Sequence, residues 1–161
     1  ESFKHHNAIP VAVGSGTIND LTKLSSHLSG RQYMVLQRQL QWTDNNLCII
    51  LPKSYAELYQ EGEILRHCVG GYSENHISGH DTIFFVRHYR RPERSYYTLD
   101  INMTGQPHRV QLHGYGNERH GVNKQYRHSI PQKVLDFCDR WEREVLMPWY
   151  RDQMNNKLKE G

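Results

Sequence analysis

Apolar residues recur along this chain in two patterns, a helical spacing of three to four residues and short runs of strand length. Leu21, Leu24 and Leu28 follow the helical spacing. They predict a short helix that stops at Gly30, after an irregular arm over residues 1–17.

Two apolar runs follow, at residues 33–36 and 47–51. Both have strand length, and the polar residues 43–46 lie between them. This part of the chain is therefore predicted to form a β-hairpin.

A capping-box pattern, Ser54 with Glu57 three residues later, predicts the start of a helix. In this pattern the Ser54 hydroxyl accepts a backbone N–H, while Glu57 reaches back to the amide of Ser54. The helix leads toward a histidine–cysteine pair, His67 and Cys68, and two glycines then loosen the backbone.

Three strands are predicted in quick succession, at residues 82–89, 95–102 and 108–113. Their separators are short and rich in turn formers, which favours an antiparallel meander. A polar loop over residues 114–129 follows, and it is long enough to have a function of its own.

Ile130 and Pro131 open a long amphipathic helix, which Pro148 is expected to kink or end. A second, fraying helical piece is expected after it. Together the elements predict a single α+β domain with an antiparallel sheet of about five strands, covered on one face by the helices after Ser54 and Pro131. We divide it into an N-terminal arm and short helix, residues 1–30, and the main domain, residues 31–161.

Composition narrows the function classes. The 161 residues have a mean hydropathy of −0.80, and no apolar run approaches the roughly 20 residues that a membrane span needs. The net charge is +3, too mild for a protein that coats nucleic acid, but residues 81–130 hold 8 basic and 4 acidic residues. Three cysteines without scaffold spacing favour a reducing, cytoplasmic compartment without disulfides.

The string His67 to Tyr72 is the most unusual in the sequence. A cysteine before two glycines and near a predicted helix start has the surroundings that favour a thiolate nucleophile. The alternative is that Cys68 is a small buried residue and that the glycines permit close packing. His67 is not automatically its base, because adjacent residues point in different directions, so His113 or His120 are candidates.

The same glycines could form an anion-binding nest of backbone amides, made by Val69, Gly70, Gly71 and Tyr72. No phosphate-loop or dinucleotide-binding pattern is present. The eleven histidines lack the spacing of a zinc site, so we expect neither a metal nor a cofactor.

The basic excess is centred on a predicted hairpin that interleaves arginines with tyrosines. Arginine forks suit phosphates and tyrosine rings stack on bases, so this hairpin is a candidate nucleic-acid surface. The alternative is a solvated hairpin whose tyrosines pack on the sheet. The candidate contacts are Arg87, Tyr89, Arg90, Arg91 and Arg94.

Four motifs in order resemble the PcfJ-like domain of conjugative plasmids, phages and other mobile genetic elements. They are the strings Leu65 to Tyr72, Ile83 to Arg87, Tyr97 to Ile101 and Gln111 to Asn117, within a match over about residues 47–141. The resemblance implies an accessory role in DNA processing beside a relaxase, in the cytoplasm of a bacterial host. The resemblance adds Thr98 and Gly114 to the site candidates. The spacing of residues 114–123 departs from the family pattern, so the asparagine of the family motif is either Asn117 or Asn123.

Two functions therefore stand side by side, with a protein-interaction module as a third. The first is a nucleic-acid-associated accessory factor in DNA transfer or processing, with DNA or RNA and relaxosome proteins as partners and no membrane. The second is a hydrolase or transferase acting on a nucleotide or nucleic acid. Its candidate catalytic residues are His67, Cys68, Gln111 and Asn117.

Overall fold

The computed structural model describes residues 30–65, 81–115 and 130–160. Over these residues the chain forms one five-stranded sheet in the order β1-β2-β3-β4-β5, with every neighbouring pair antiparallel. The α+β prediction is confirmed. The elements are α1 (Gly30–Leu40), β1 (Trp42–Thr43), β2 (Leu47–Ile50), α2 (Tyr55–Leu65), β3 (Asp81–His88), β4 (Tyr97–Asn102), β5 (His108–His113), α3 (Gln132–Trp141), a π-helical turn (Glu142–Leu146) and α4 (Met147–Glu160).

The strand predicted at residues 33–36 is wrong, because these residues lie in α1. Tyr33, Leu36 and Leu40 are buried at helical spacing, whereas Val35 is exposed. The run is too short for its apolar content alone to distinguish a helix from a strand. Gly30, predicted as a helix stop, is itself helical. The hairpin exists, but its first strand is β1.

Helix α2 begins as predicted. The Ser54 hydroxyl accepts the Glu57 N–H at 3.1 Å and caps the first turn. The Glu57 carboxylate accepts the N–H of Lys53 rather than that of Ser54, so the reciprocal bond lies one residue earlier than in the standard capping box.

The meander of β3, β4 and β5 confirms the three predicted strands. Seven consecutive residues of β3 are buried, from Asp81 to Arg87, so both faces of this strand are covered. Phe84 packs edge-on against Trp141 of α3 at a centroid distance of 4.9 Å, whereas Arg87 pairs with Glu61 of α2. Because residues 84 and 87 point to opposite faces, the two helices lie on opposite faces and not on one face as predicted.

The C-terminal helix continues through Pro148, so the proline does not end it. The π-helical turn lies just before this residue, where the proline ring would crowd the helix backbone and where the proline has no N–H to donate. The wider turn accommodates the proline. Helix α4 buries none of its residues. No helix in the described ranges is long and apolar enough to cross a membrane.

The predicted arm and the helix at residues 21–28 lie outside the described residues, so the division at residue 30 stays a prediction. Most of the predicted loop over residues 114–129 lies outside them as well.

Candidate functional site

One face of the sheet, which we call the polar face, carries side chains that can do chemistry. The strand register places Thr98 opposite Phe85, Asp100 opposite Ile83, and Gln111 and His113 opposite Asp100 and Thr98. These residues alternate along their strands and share the face on which α2 lies. The polar residues of this face are Asp81, Arg87, Thr98, Asp100, Gln111 and His113, and they lie among the apolar side chains of Ile83 and Phe85.

An ion pair between α2 and β3 lies at the centre of this face. The Arg87 Nη2 donates to Glu61 Oε1 at 2.8 Å, and the other oxygen of Glu61 accepts the Thr98 hydroxyl at 2.9 Å. The side chains of Arg87 and Glu61 are 5% and 0% exposed. Both charges are therefore removed from water and depend on one another.

A carboxyl pair, Asp81 and Asp100, lies further along the same face. Burial raises the pKa of Asp100 to about 7, and the charge and side-chain hydrogen bond of Asp81 contribute to this rise. Each residue has one buried carboxyl oxygen without a hydrogen-bond partner among the described residues. A carboxyl group with this pKa gains or loses its proton near neutral pH, as a general acid or base must.

The connection from β3 to β4, which we call the arginine turn (residues 88–94), projects into solvent. The Arg91 N–H donates to the His88 carbonyl and the Arg94 N–H to the Arg91 carbonyl, both at 3.0 Å. Arg90, Arg91 and Arg94 are exposed, as is Tyr89. Arg87 was predicted to be one of the phosphate contacts. It is not part of this surface, because it is buried against Glu61.

Two predicted site residues lie on β5: Gln111, from the family motif, and His113, a candidate base for Cys68. Gln111 is exposed opposite Asp100, and His113 is buried opposite Thr98. Gly114 follows, and a Cβ there would stand 2.5 Å from the buried Tyr97 ring, so the packing of this ring leaves no room for a side chain at residue 114.

The remaining predicted site residues lie outside the described residues: His67, Cys68, Val69, Gly70, Gly71, Tyr72, Asn117, His120 and Asn123. The first six of them lie between Leu65 and Asp81. In the sequence, this segment connects the end of α2 to Asp81, the first residue of β3. Within the described ranges, no group of three or more possible ligands could hold a metal ion.

The described cysteines, Cys48 and Cys138, are both buried as free thiols. Burial raises the pKa of each, that of Cys138 to about 12. Neither has the character of a nucleophile.

Sequence reasoning missed Glu61, Asp81 and Asp100. Asp100 lies within a predicted strand whose neighbours are apolar, and a carboxylate at such a position was a signal that could have found it. Glu61 gave no such signal, because a glutamate in an amphipathic helix is ordinarily solvated.

Comparison with known proteins agrees with the four motifs. A family model described as PcfJ-like protein matches residues 18–130. An uncharacterized protein of Listeria innocua serovar 6a, Lin1253/Lin1744, is 45% identical over 65 residues, which cover 39% of this chain and 14% of that relative. No solved structure matches the chain. The family match extends over more than half of the sequence and confirms the predicted resemblance: the chain belongs to the PcfJ-like family.

Proposed function

We propose that this domain binds nucleic acid through the arginine turn, as an accessory factor in the transfer or processing of mobile-element DNA. The observation that carries the proposal is the exposure of Arg90, Arg91 and Arg94 beside the exposed ring of Tyr89, on one short turn. Guanidinium forks bind phosphate oxygens, and a tyrosine ring stacks on bases.

The electrostatics of the turn fit a modest binder. Glu93 is the one acidic residue among residues 88–94, so the turn has a local excess of positive charge on a domain whose net charge is only +3. A few phosphate contacts give micromolar or weaker binding that falls steeply with salt. Such affinity suits a factor that works beside a relaxase and other relaxosome proteins, which the family resemblance implies.

The test measures binding of labelled single-stranded DNA, duplex DNA and RNA by fluorescence anisotropy at several salt concentrations. Reversing Arg90 and Arg91 to glutamate should abolish binding or weaken it by more than about 10-fold, and it should lower the salt slope by about 2. The matched control carries Arg151→Glu and Lys157→Glu on α4, an equal charge change at exposed positions. If both double variants lose affinity equally, net charge and not the turn governs binding, and the proposal fails.

A second candidate, an enzyme centred on His67 and Cys68, is supported by the carboxyl pair of the polar face. Asp81 directly follows the segment that holds these residues, and Asp100 has a pKa of about 7, which suits a general acid or base. In this proposal Gln111 and Asn117 orient the substrate, a nucleotide or nucleic acid.

The pH dependence of Cys68 alkylation, followed by mass spectrometry, tests the enzyme proposal. Cys48 and Cys138 serve as internal controls, because burial raises their pKa and they should stay unmodified at about pH 8. A Cys68 thiol that reacts well below about pH 8.5 supports a nucleophile, and an inert thiol argues against it. Cys68→Ser should leave nucleic-acid binding intact. If neither this change nor the arginine reversal matters, an interaction module is favoured.

A further inference from the structure

Arg87 connects the interior of the polar face to the backbone of the arginine turn. Its Nη2 bonds to Glu61 at 2.8 Å, and its Nη1 donates to the carbonyl of Pro92 at 2.9 Å. Pro92 lies within the turn and is exposed, whereas Arg87 is 4% exposed. One buried guanidinium therefore spans from α2 to the surface.

The guanidinium is held by more than these two bonds. Its carbon lies 4.3 Å from the centroid of the Phe85 ring, and the second oxygen of Glu61 is bonded to Thr98. Swinging Arg87 outward to reach a phosphate would break its bonds to Glu61 and to Pro92 and would leave a buried carboxylate without its partner, at a high cost. Arg87 is therefore poorly placed to bind a ligand itself.

We infer that Arg87 is a positioning residue that holds the arginine turn in its binding conformation, an inference that rests on the proposed function. A carbonyl fixed at Pro92 restrains the backbone between Arg91 and Arg94, which already carries the bond from Arg94 to Arg91. A turn that is ordered before binding loses less entropy when it meets its ligand. The planar fork is necessary, because a lysine ammonium does not reproduce two bonds in fixed directions.

The first arm of the test needs no ligand. Hydrogen exchange of the intact protein is compared with that of Arg87→Lys, which keeps the charge and loses the fork. Amides of residues 89–96 should exchange at least about 10-fold faster in the variant, whereas those of β5 keep their protection. The matched control is Arg109→Lys on the opposite face of the sheet. Arg109 bridges Asp139 and Glu142, and its recorded bonds do not involve the arginine turn, so exchange in the turn should not change.

The second arm measures affinity for single-stranded DNA, duplex DNA and RNA across salt concentrations. Arg87→Lys should weaken binding by about 5- to 10-fold with an unchanged salt slope, because the phosphate-contacting arginines are all still present. Arg90→Gln should lower the slope by about 1. If Arg87→Lys fails to fold, Glu61→Gln serves instead, since its amide oxygen still accepts from Arg87 and its NH2 group donates to the Thr98 hydroxyl, while the carboxylate charge is lost.

The outcomes separate the two ideas. Faster exchange in the turn with weaker binding at constant slope supports the positioning role. Unchanged exchange, unchanged affinity, or a slope lowered by about 1 each overturn it, the last because Arg87 would then contact phosphate directly. If the unmodified protein binds no nucleic acid, the proposed function fails, and the exchange arm still decides whether Arg87 orders the turn.

Discussion

The two faces of the sheet are stabilised in different ways. On one face, Phe84 packs against Trp141, and Trp42 stacks on Phe137 at 5.4 Å, so apolar area does most of the stabilising. On the polar face, Glu61 and Arg87 are buried as a charged pair. Apolar contact depends on volume, whereas a buried ion pair depends on distance and direction.

This difference teaches where function can be sought. An apolar face tolerates exchanges of similar volume, and a polar face of this kind tolerates few changes of any size. Buried charges often contribute little net stability compared with apolar residues of the same shape. The buried pair of Glu61 and Arg87 is bonded to the arginine turn through Pro92. We therefore expect the pair to position the turn more than to stabilise the fold.

The largest expected effect lies on the apolar face. Trp141 is fully buried, and its indole N–H donates to the Leu40 carbonyl at 2.8 Å. Trp141→Ala should lower the free energy of unfolding by about 4 kcal/mol, through lost burial, a cavity and an unpaired carbonyl. Denaturant unfolding measures this, with Leu158→Ala, at a position 77% exposed, as the neutral control. A loss below about 1 kcal/mol would contradict this packing.

The polar face should show strong coupling between its charges. Glu61→Ala leaves the Arg87 charge buried alone and should cost about 3 kcal/mol. The double variant Glu61→Leu with Arg87→Met should cost clearly less than the sum of Glu61→Leu alone and Arg87→Met alone, because no charge is left unpaired. A double-mutant cycle in urea measures the difference, and additive costs would contradict the pairing.

Asp100 should make stability depend on pH. Its pKa is about 7 in the folded protein against 3.8 for an unperturbed aspartate, so the folded state binds the proton more tightly than the unfolded state does. Stability is then greatest below about pH 4 with respect to this group, and it falls as the pH rises toward about 7.

Asp100→Asn should remove this slope and stabilise the protein at about pH 8, by an amount on the order of 2 kcal/mol. Unfolding measured from about pH 4 to about pH 8 tests it, with the exposed Asp152→Asn as the control. A slope that persists in Asp100→Asn would assign it to another group.

The smallest effect is expected at the start of α2. Ser54→Ala removes the hydroxyl that accepts the Glu57 N–H and should cost about 1 kcal/mol, whereas Ser54→Thr should recover most of it. Thermal unfolding of the three proteins compares them. Equal stability of the alanine and threonine variants would show that the cap contributes nothing.

The meander and the helices after Ser54 and Pro131 could be predicted because each has a local signal: strand-length apolar runs between turn formers, a capping box, or apolar residues three and four apart. Helix α1 could not, since the run at residues 33–36 satisfies both periodicities. The face that each helix covers is also hidden, because it depends on pairing between distant strands.

The site shows the same limit. The exposed arginines were predictable from local composition, but the burial of Arg87 depends on Glu61, 26 residues away. The pairing of Asp81 with Asp100 likewise exists only after β3 and β4 align.

The ladder between β4 and β5 contains a β-bulge, so the pairing register of the two strands shifts by one residue. Asp100 pairs with Gln111 but Ile101 pairs with Arg109, so Val110 is skipped. Residues 109 and 111 would share a face in a regular strand, yet here Arg109 reaches α3 while Gln111 stays with the polar face. Arg109 and Gln111 thus lie on opposite faces although they are two residues apart. Deleting Val110 would restore regular alternation and leave both side chains on their present faces, whereas a regular ladder that paired Val110 with Ile101 would move the Arg109 charge onto the polar face.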